Sequence, residues 1–298
     1  MGVWRRKVKI TRAGWVGGVV GWVALGSLLV AGDFPARLAE LEAVHGGRLG
    51  VCALDTGSGR RLGYRENERF AMCSTFKLAL AAAVLARSDA GQEVLTRTVA
   101  FAENDLLEYA PVTRERVGNG GMTVMELCAA IIGVSDNTAA NLLLATVGGP
   151  AGFTAWLRSL GDETTRLDRT EPTLNENRPG DPRDTTTPSA MAETVRRLLV
   201  GGVLRAESRE RLLGWLESSA TGKMRLRAGL PPRWRVGDKT GSGLDNATND
   251  LAIVFPPGRP PLIMVVYYTG SREDKPARDA VLAEVARLVV AEFTRDAR

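Results

Sequence analysis

The chain has 298 residues, of which 44% are hydrophobic, so it can build a globular core of one or two domains. Its net charge of +5 comes from residues 5–12, because removing the five basic residues there from the total of 39 leaves 34, equal to the 34 acidic residues. A neutral body gives no electrostatic argument for a nucleic-acid partner.

Residues 1–32 resemble a targeting segment. A basic start is followed by an uncharged run from Ala13 to Gly32, as in a signal peptide, and Val30-Ala31-Gly32 offers small residues for cleavage before Asp33. The run could also span a bilayer as a retained anchor, but its six glycines favour cleavage. We therefore predict a secreted or periplasmic protein that meets the membrane only transiently. Arg5-Arg6 leaves both Sec and twin-arginine export open.

The remaining chain begins and ends with strand-bearing segments and is helical in between. An amphipathic helix over 34–44 precedes two strands of a hairpin, 48–55 and 60–65. Strand patterns return at 234–239, 250–255 and 261–269, before a final helix over 275–293. Helices are predicted between these strands at 73–86, 123–132, 138–147, 152–160, 188–199 and 208–217.

This order predicts an α/β fold of the α+β type. Five strands would form one antiparallel sheet flanked by the amino- and carboxy-terminal helices, with an all-helical domain inserted and the active site between the two. The predicted α/β domain comprises 33–66 and 217–298, and the helical domain 67–216. The irregular loop 164–187 has a length that is typical of functional or disordered loops.

The helix that follows Cys73 carries a serine and a lysine, Ser74 and Lys77, at the start of a run with no other charge. Burying a lone lysine is costly unless it has partners or a role, so the two side chains can form a nucleophile and the group that handles its proton. Alternatively, Ser74 caps the helix while Lys77 extends to solvent. The segment alone favours this second interpretation and leaves the first open.

Three further motifs contain groups for acyl chemistry. Ser135-Asp136-Asn137 is a helix-capping triplet, and Lys239-Thr240-Gly241-Ser242-Gly243 ends a strand whose backbone could pair with an extended amide. In the long loop, Glu171 and Asn175 could hold one water between a carboxylate and an amide, the geometry of general-base hydrolysis.

Cysteine and histidine usage excludes several other mechanisms. Cys52, Cys73 and Cys128 are too few and too scattered for a disulfide scaffold or a zinc cluster, so buried free thiols are expected. The single histidine, His45, ends a helix near the start of the mature chain, which excludes a Ser-His-Asp triad and multi-histidine metal sites. No metal or cofactor is expected.

The four motifs together resemble those of the class A serine β-lactamases, in which S-x-x-K, S-D-N and K-T-G recur. The similarity covers about Asp33 to the end and includes the stretches 104–113 and 166–172. It implies a monomeric enzyme that hydrolyses small β-lactam antibiotics and confers resistance to them. Which of the penicillins, cephalosporins and carbapenems it prefers stays open.

The resemblance also implies roles for individual residues. Ser74 would attack the β-lactam carbonyl, Lys77 and Glu171 would share removal of its proton, and Ser135 would pass a proton to the lactam nitrogen. The amide groups of Ser74 and Ser242 would form the oxyanion hole. The implied substrate-binding residues are Tyr109, Asn137, Asn175, Arg225, Lys239, Thr240 and Ser242.

Some positions depart from the family's common pattern. Many members place an arginine a few residues beyond K-T-G, where this chain has Ala247-Thr248-Asn249, so the resemblance assigns that role to Arg225. Cys128 matches one cysteine of a bridge found in some members, but Ala81 stands near the other's place, and Gly243 opposite Cys73 excludes a second bridge.

Two features of the long loop are also implied by the resemblance. One is an ion pair between Arg169 and Asp184 at its neck, and the other is a cis bond between Glu171 and Pro172.

Two alternative functions share the Ser-Lys pair, a penicillin-binding DD-peptidase and a membrane-anchored β-lactam sensor. The motif from Glu171 to Asn175 distinguishes them, because only the hydrolase needs a held deacylation water.

Overall fold

The computed structural model describes Met1, Gly2 and residues 34–295. The predicted signal peptide lies almost wholly outside these residues, so it stays a prediction. Among the described residues, no helix combines the length and the apolar character needed to cross a bilayer.

Residues 34–295 lie in one compact unit, which contains a main sheet and helices on both of its faces. The strands of the main sheet are β1 (Arg48–Asp55), β2 (Arg61–Tyr64), β3 (Arg235–Ser242), β4 (Thr248–Phe255) and β5 (Leu262–Thr269). The helices are α1 (Phe34–His45), α2 (Phe76–Asp89), α3 (Val124–Gly133), α4 (Asn137–Thr146), α5 (Gly149–Ser159), α6 (Pro188–Leu199), α7 (Ala206–Glu217), α8 (Leu226–Gly229) and α9 (Lys275–Arg295).

The main sheet is antiparallel throughout, in the order β2-β1-β5-β4-β3. The first and last strands of the chain meet in its centre, where Arg48 pairs with Thr269. Strand β3 lies at one edge, with Thr240 opposite Asp250 of β4. The five-stranded antiparallel sheet predicted from the sequence is therefore confirmed, and one of its two edge strands, β3, carries the K-T-G motif.

Two apolar clusters fill the two faces of the sheet. Helices α1, α8 and α9 pack on one face, where Leu38, Leu226 and Val285 are fully buried. Helices α2 to α7 pack on the other face, and α2 lies among them with residues 76–85 all buried. The boundaries 33–66 with 217–298 and 67–216 stay a prediction, since helices and sheet share one core on that second face.

Helix ends follow the capping signals of the sequence. The hydroxyl of Thr123 accepts from the backbone N–H of Glu126 (3.2 Å), and the Glu126 carboxylate accepts from the N–H of Thr123 (2.8 Å), which forms the capping box of α3. Asp136 caps α4 by accepting from the N–H of Ala139 (2.9 Å). The starts of α3 and α4 are therefore fixed by local hydrogen bonds, and the residues that form them can be recognised in the sequence.

The structure differs from the predicted elements mainly at their ends. Cys73–Thr75 forms a 3-10 turn, and α2 begins only at Phe76. Helix α5 begins at Gly149, three residues before the predicted start, because Pro150 fits the first turn of a helix. Strand β3 continues to Ser242, so the K-T-G motif lies inside it. The four-residue helix α8 was not predicted.

Candidate active site

Ser74 lies in the 3-10 turn that leads into α2, at the junction between the sheet and the helices. The preceding residue, Cys73, has a positive φ of 46°, an unusual backbone conformation for a residue with a side chain. Strained backbone of this kind persists only where the surrounding structure holds it, and it clusters at active sites. The turn presents the Ser74 hydroxyl to the groups described next.

Lys77 is fully buried, and its ammonium group contacts several polar groups. Its Nζ lies 3.1 Å from Oγ of Ser74, 2.8 Å from the carbonyl oxygen of Ser135 and 2.6 Å from Oδ1 of Asn137. It also lies 2.9 Å from Oε1 of Glu171. Burial lowers the pKa of Lys77, while the negative charge of Glu171 acts in the opposite direction.

Glu171 approaches the same serine from the long loop. Its Oε1 accepts from Oγ of Ser74 at 3.3 Å, and its Oε2 accepts from Nδ2 of Asn175 at 2.5 Å. The backbone of Glu171 is held by Asn141 of α4, which accepts from its N–H (3.0 Å) and donates to its carbonyl oxygen (2.9 Å). The carboxylate is therefore fixed between the nucleophile and the loop.

The neck of the long loop closes as predicted. Nε of Arg169 lies 2.6 Å from Oδ2 of Asp184, whose side chain is fully buried, and Oδ1 of Asp184 accepts two backbone N–H groups of the loop. The Glu171–Pro172 peptide bond is cis. Both expectations about this loop are therefore confirmed.

Ser135 and Asn137 reach Lys77 from the start of α4. Ser135 has a positive φ of 64°, and its Oγ accepts from both lysines of the site, Lys77 at 3.3 Å and Lys239 at 3.1 Å. The Asp136 side chain points away and accepts from the N–H and Oγ of Thr113. Ser135 is thus placed as a link between two amines, which a helix cap alone does not require.

Strand β3 forms the opposite wall. Lys239 is fully buried, and the combination of burial and the nearby Lys77 lowers the pKa of Lys239 to about 7. A Cβ atom at Gly241 would lie 2.8 Å from the carbonyl oxygen of Met72 and 3.2 Å from the backbone nitrogen of Ser74. Glycine at this position therefore leaves the backbone of β3 close to the nucleophile.

Arg225 enters the site from the segment before α8. Its guanidinium contacts Oδ1 of Asp279 (2.8 Å) and the carbonyl oxygen of Asn249 (2.7 Å), and it donates to Oγ of Ser242 (2.8 Å). These bonds hold a cation beside the end of β3. The Thr240 hydroxyl is close by, 2.7 Å from that of Thr221.

These groups surround one cleft of about 410 Å³. Tyr109, which is 51% exposed, lines its rim and contacts the carbonyl oxygen of Val134 with its hydroxyl (3.1 Å). The cleft is lined by Ser74, Tyr109, Ser135, Asn137, Asn175, Thr221, Arg225, Thr240, Gly241, Ser242 and Lys275. Lys77, Glu171 and Lys239 lie behind this lining and contact it, so all eleven predicted site residues converge.

Sequence reasoning missed several residues that position the site. Asn141 holds Glu171, Asp279 holds Arg225, and Asn249 bonds to the carbonyl oxygen of Ala71 before the serine turn (3.0 Å). These residues stand in no motif of their own. Asn141 alone gave a signal, since it lies one helical turn beyond Asn137 on the same face of α4.

Two buried carboxylates lie behind β3, on the face away from Lys239. Asp238 and Asp250 are both fully buried, and one oxygen of each has no hydrogen-bond partner. Burial raises the pKa of both groups, and the charge of Asp238 raises that of Asp250 further. Arg227 contacts Asp238, and the N–H of Leu226 donates to Asp250 (3.2 Å).

The cysteines and the histidine take no part in the cleft. Cys52, Cys73 and Cys128 are buried free thiols, as predicted, and burial raises the pKa of Cys73 to about 12. His45 contacts Glu273 at 3.4 Å, away from Ser74. Within the described part of the chain, no cluster of three or more His, Cys, Asp or Glu residues could hold a metal ion.

The chain is similar in sequence to known β-lactamases. The model of the β-lactamase enzyme family matches residues 33–293. The β-lactamase CTX-M-8 of Citrobacter amalonaticus is 51% identical over 87% of this chain and 89% of its own length. The β-lactamase AST-1 of Nocardia asteroides is 52% identical over 85% of this chain and 82% of its own length.

Solved structures of class A β-lactamases are similar to this chain in fold. An ancestral class A β-lactamase (GNCA) is 61% identical and superposes with a TM-score of 0.86, covering 87% of this chain and all of its own. The putative class A β-lactamase PenP of Rhodopseudomonas palustris is 53% identical, with a TM-score of 0.85 over 87% of this chain and 99% of its own.

Proposed function

The chain belongs to the class A β-lactamases, and on that premise we propose that Ser74, Lys77, Ser135 and Glu171 carry out β-lactam hydrolysis through a serine acyl-enzyme. The observation that carries the proposal is the position of Glu171. Its carboxylate contacts the nucleophile, the lysine and Asn175 while its side chain has no exposed surface.

Acylation begins when Oγ of Ser74 attacks the lactam carbonyl carbon. Lys77 and Glu171 lie 3.1 Å and 3.3 Å from that oxygen and share the removal of its proton. The backbone amides of Ser74 and Ser242 stabilise the oxyanion, and Gly241 supports this role because it leaves the space beside Ser74 open.

Ring opening requires a proton on the lactam nitrogen as its bond to carbon breaks. Ser135 is suited to supply it, because its hydroxyl lies within hydrogen-bond distance of Lys77 and of Lys239. Either amine can then replace the proton that Ser135 has given. The carbon–nitrogen bond breaks, and the acyl group remains on Oγ of Ser74.

Deacylation requires a water that attacks the ester carbonyl. Glu171 takes the proton of this water, and Asn175, whose amide contacts the same carboxylate at 2.5 Å, orients it. The proton then returns to Oγ of Ser74 as the ester bond breaks. Turnover therefore depends on Glu171 more strongly than acylation does.

Substrate is held by the two walls of the cleft. Lys239, Thr240 and Arg225 bind the carboxylate of the ring, and Ser242 completes that side. Asn137 binds the amide of the substrate's side chain from the other wall, and Tyr109 bounds the rim.

A DD-peptidase or a β-lactam sensor would use the same Ser-Lys pair. Neither needs a carboxylate fixed against the nucleophile, whereas Glu171 here has contacts from Asn141, Asn175 and Lys77 that hold it there. We further propose that the enzyme is a monomer and is exported to the periplasm or medium after loss of residues 1–32. Amino-terminal sequencing of the exported protein tests the loss of residues 1–32, with Asp33 the expected first residue.

The function is tested by replacing Glu171. Glu171→Ala should react with a chromogenic cephalosporin and retain the acyl group on Ser74, detected by mass spectrometry of the intact protein and its peptides. Ser74→Ala should give no adduct. Glu163→Ala is the matched control, because Glu163 belongs to the same part of the chain with 79% of its side chain exposed. Parental turnover in Glu171→Ala would overturn the assignment.

A further inference from the structure

Lys275 adds a second permanent cation to the mouth of the cleft. It is the first residue of α9 and lines the cleft together with Arg225, Thr240 and Ser242. Its side chain is 65% exposed, so it can be reached by a ligand without the cost of burying a charge.

One buried carboxylate holds Lys275 and Arg225 beside each other. Oδ2 of Asp279 lies 2.5 Å from Nζ of Lys275, and Oδ1 lies 2.8 Å from Nε of Arg225. A single negative charge thus stands against two positive charges. The group retains a net charge of +1, which faces the cleft.

The neighbouring acidic groups are engaged elsewhere. Asp274 caps α9 by accepting from the N–H of Ala277 (2.9 Å), and Glu273 contacts His45 (3.4 Å). This rim of the cleft therefore favours an anion.

The position of Lys275 indicates which part of a substrate meets it. It lies with Arg225, Thr240 and Ser242, the proposed carboxylate site, whereas Asn137 lies at the start of α4 and contacts Lys77. In a cephalosporin, the carbon that bears the ring carboxylate is bonded to C3. A substituent at C3 therefore points to the region beside that carboxylate.

We propose that Lys275 is a specificity-determining residue that favours cephalosporins with an anionic group, a carboxylate or sulfonate, on the C3 substituent. The inference rests on the proposed function, because it takes the carboxylate site at Arg225 as the point of reference. A merely structural Lys275 would support Asp279 and Arg225, and would then affect all carboxylate-bearing β-lactams alike.

The test uses two cephalosporins with the same mandelamide side chain. Cefamandole has a neutral N-methyl tetrazole on its C3 substituent, and cefonicid has an anionic N-sulfomethyl tetrazole there. The readout is the ratio of kcat/KM for cefonicid to that for cefamandole. Lys275→Gln should lower this ratio about two- to fivefold, the range expected for one exposed charge pair.

Two further variants serve as controls. Lys275→Arg should keep the parental ratio, and so should Arg287→Gln, which removes one charge from α9 at a side chain that is 51% exposed. An unchanged ratio in Lys275→Gln, or an equal loss for both compounds, overturns the inference. Failure of the parent enzyme to hydrolyse either compound overturns the proposed function, and the inference with it.

Discussion

The ammonium of Lys77 lies 2.9 Å from Oε1 of Glu171, and neither side chain has any exposed surface. Removing two charges from water costs several kcal/mol for each ion, and a buried pair is weak grounds for stability. The pair is instead explained by its position, because both groups also contact Oγ of Ser74.

Lys77→Ala should slow acylation strongly. Loss of the amine removes one acceptor for the serine proton and leaves Glu171 without its cation, so the acylation rate constant should fall about 10²- to 10⁴-fold. Rapid-quench mass spectrometry with benzylpenicillin measures this rate. Lys223→Ala, at an exposed residue, should acylate at the parental rate. Equal rates in both variants would contradict a role for Lys77.

The pH dependence of kcat/KM should show the titration of Lys239. Because burial and Lys77 lower the pKa of Lys239 to about 7, its positive charge is present below that pH and is lost above it. Attraction for a substrate carboxylate should therefore decline as the pH rises through this value. A profile of kcat/KM from pH 5 to about 9 reports groups of the free enzyme.

Lys239→Arg provides the matched comparison. A guanidinium stays protonated throughout this range, so the decline at high pH should move upward by at least about one pH unit. If the decline stays where the parent has it, the limb belongs to another group.

Local signals in the sequence were sufficient to predict the fold's main elements. The apolar runs of α2, β4 and β5 and the capping box of α3 each act over a few residues, and all are retained in the structure. Element ends were less well predicted. Strand β3 extends to Ser242 because it pairs with Thr248, a contact that local pattern cannot display.

The reacting groups were predictable because their motifs are short and chemically distinctive. The residues that hold them were not, since each acts through a partner far along the chain. Asp279 bonds to Arg225 across 54 residues, and Asn249 bonds to Ala71 across 178. Such pairs become visible only when the sheet and helices bring them together.

Gly241→Ala should impair acylation without affecting Lys77. The added Cβ would lie 3.2 Å from the backbone nitrogen of Ser74 and 2.8 Å from the carbonyl oxygen of Met72, both backbone atoms that cannot turn aside. Displacement of an oxyanion donor costs about 10²- to 10³-fold in kcat. Gly133→Ala, where a Cβ would meet nothing within 4 Å, is the control and should retain parental kinetics.

Asp184→Ala should loosen the loop that carries Glu171. The change removes the acceptor of two backbone N–H groups and leaves Arg169 without its buried partner, which costs roughly 3–5 kcal/mol. Hydrogen exchange over 164–187 should accelerate, and deacylation should slow more than acylation. Glu163→Ala, at a side chain that is 79% exposed, should leave exchange in the loop unchanged.

Asp250→Asn should stabilise the protein, and more so as the pH rises. Burial and Asp238 raise the pKa of Asp250 in the folded state, whereas in the unfolded chain it titrates near its ordinary value of about 3.9. Between the pKa of the unfolded chain and the higher pKa of the folded state, the folded state binds more protons than the unfolded chain. The free energy of unfolding of the parent therefore falls as the pH rises from the first value to the second. An amide has no charge to bury.

Thermal unfolding of the parent and of Asp250→Asn at pH 4, 6 and 8 measures the effect. The variant's advantage in Tm should be smallest at pH 4 and grow to several degrees at pH 8, at about 2–4 °C for each kcal/mol. Asp55→Asn is the control, since the Asp55 carboxylate accepts from the N–H of Gly57 (2.8 Å) and loses that charged bond. A constant Tm difference between parent and Asp250→Asn at all three pH values would show that the pKa of Asp250 is the same in the folded and unfolded states.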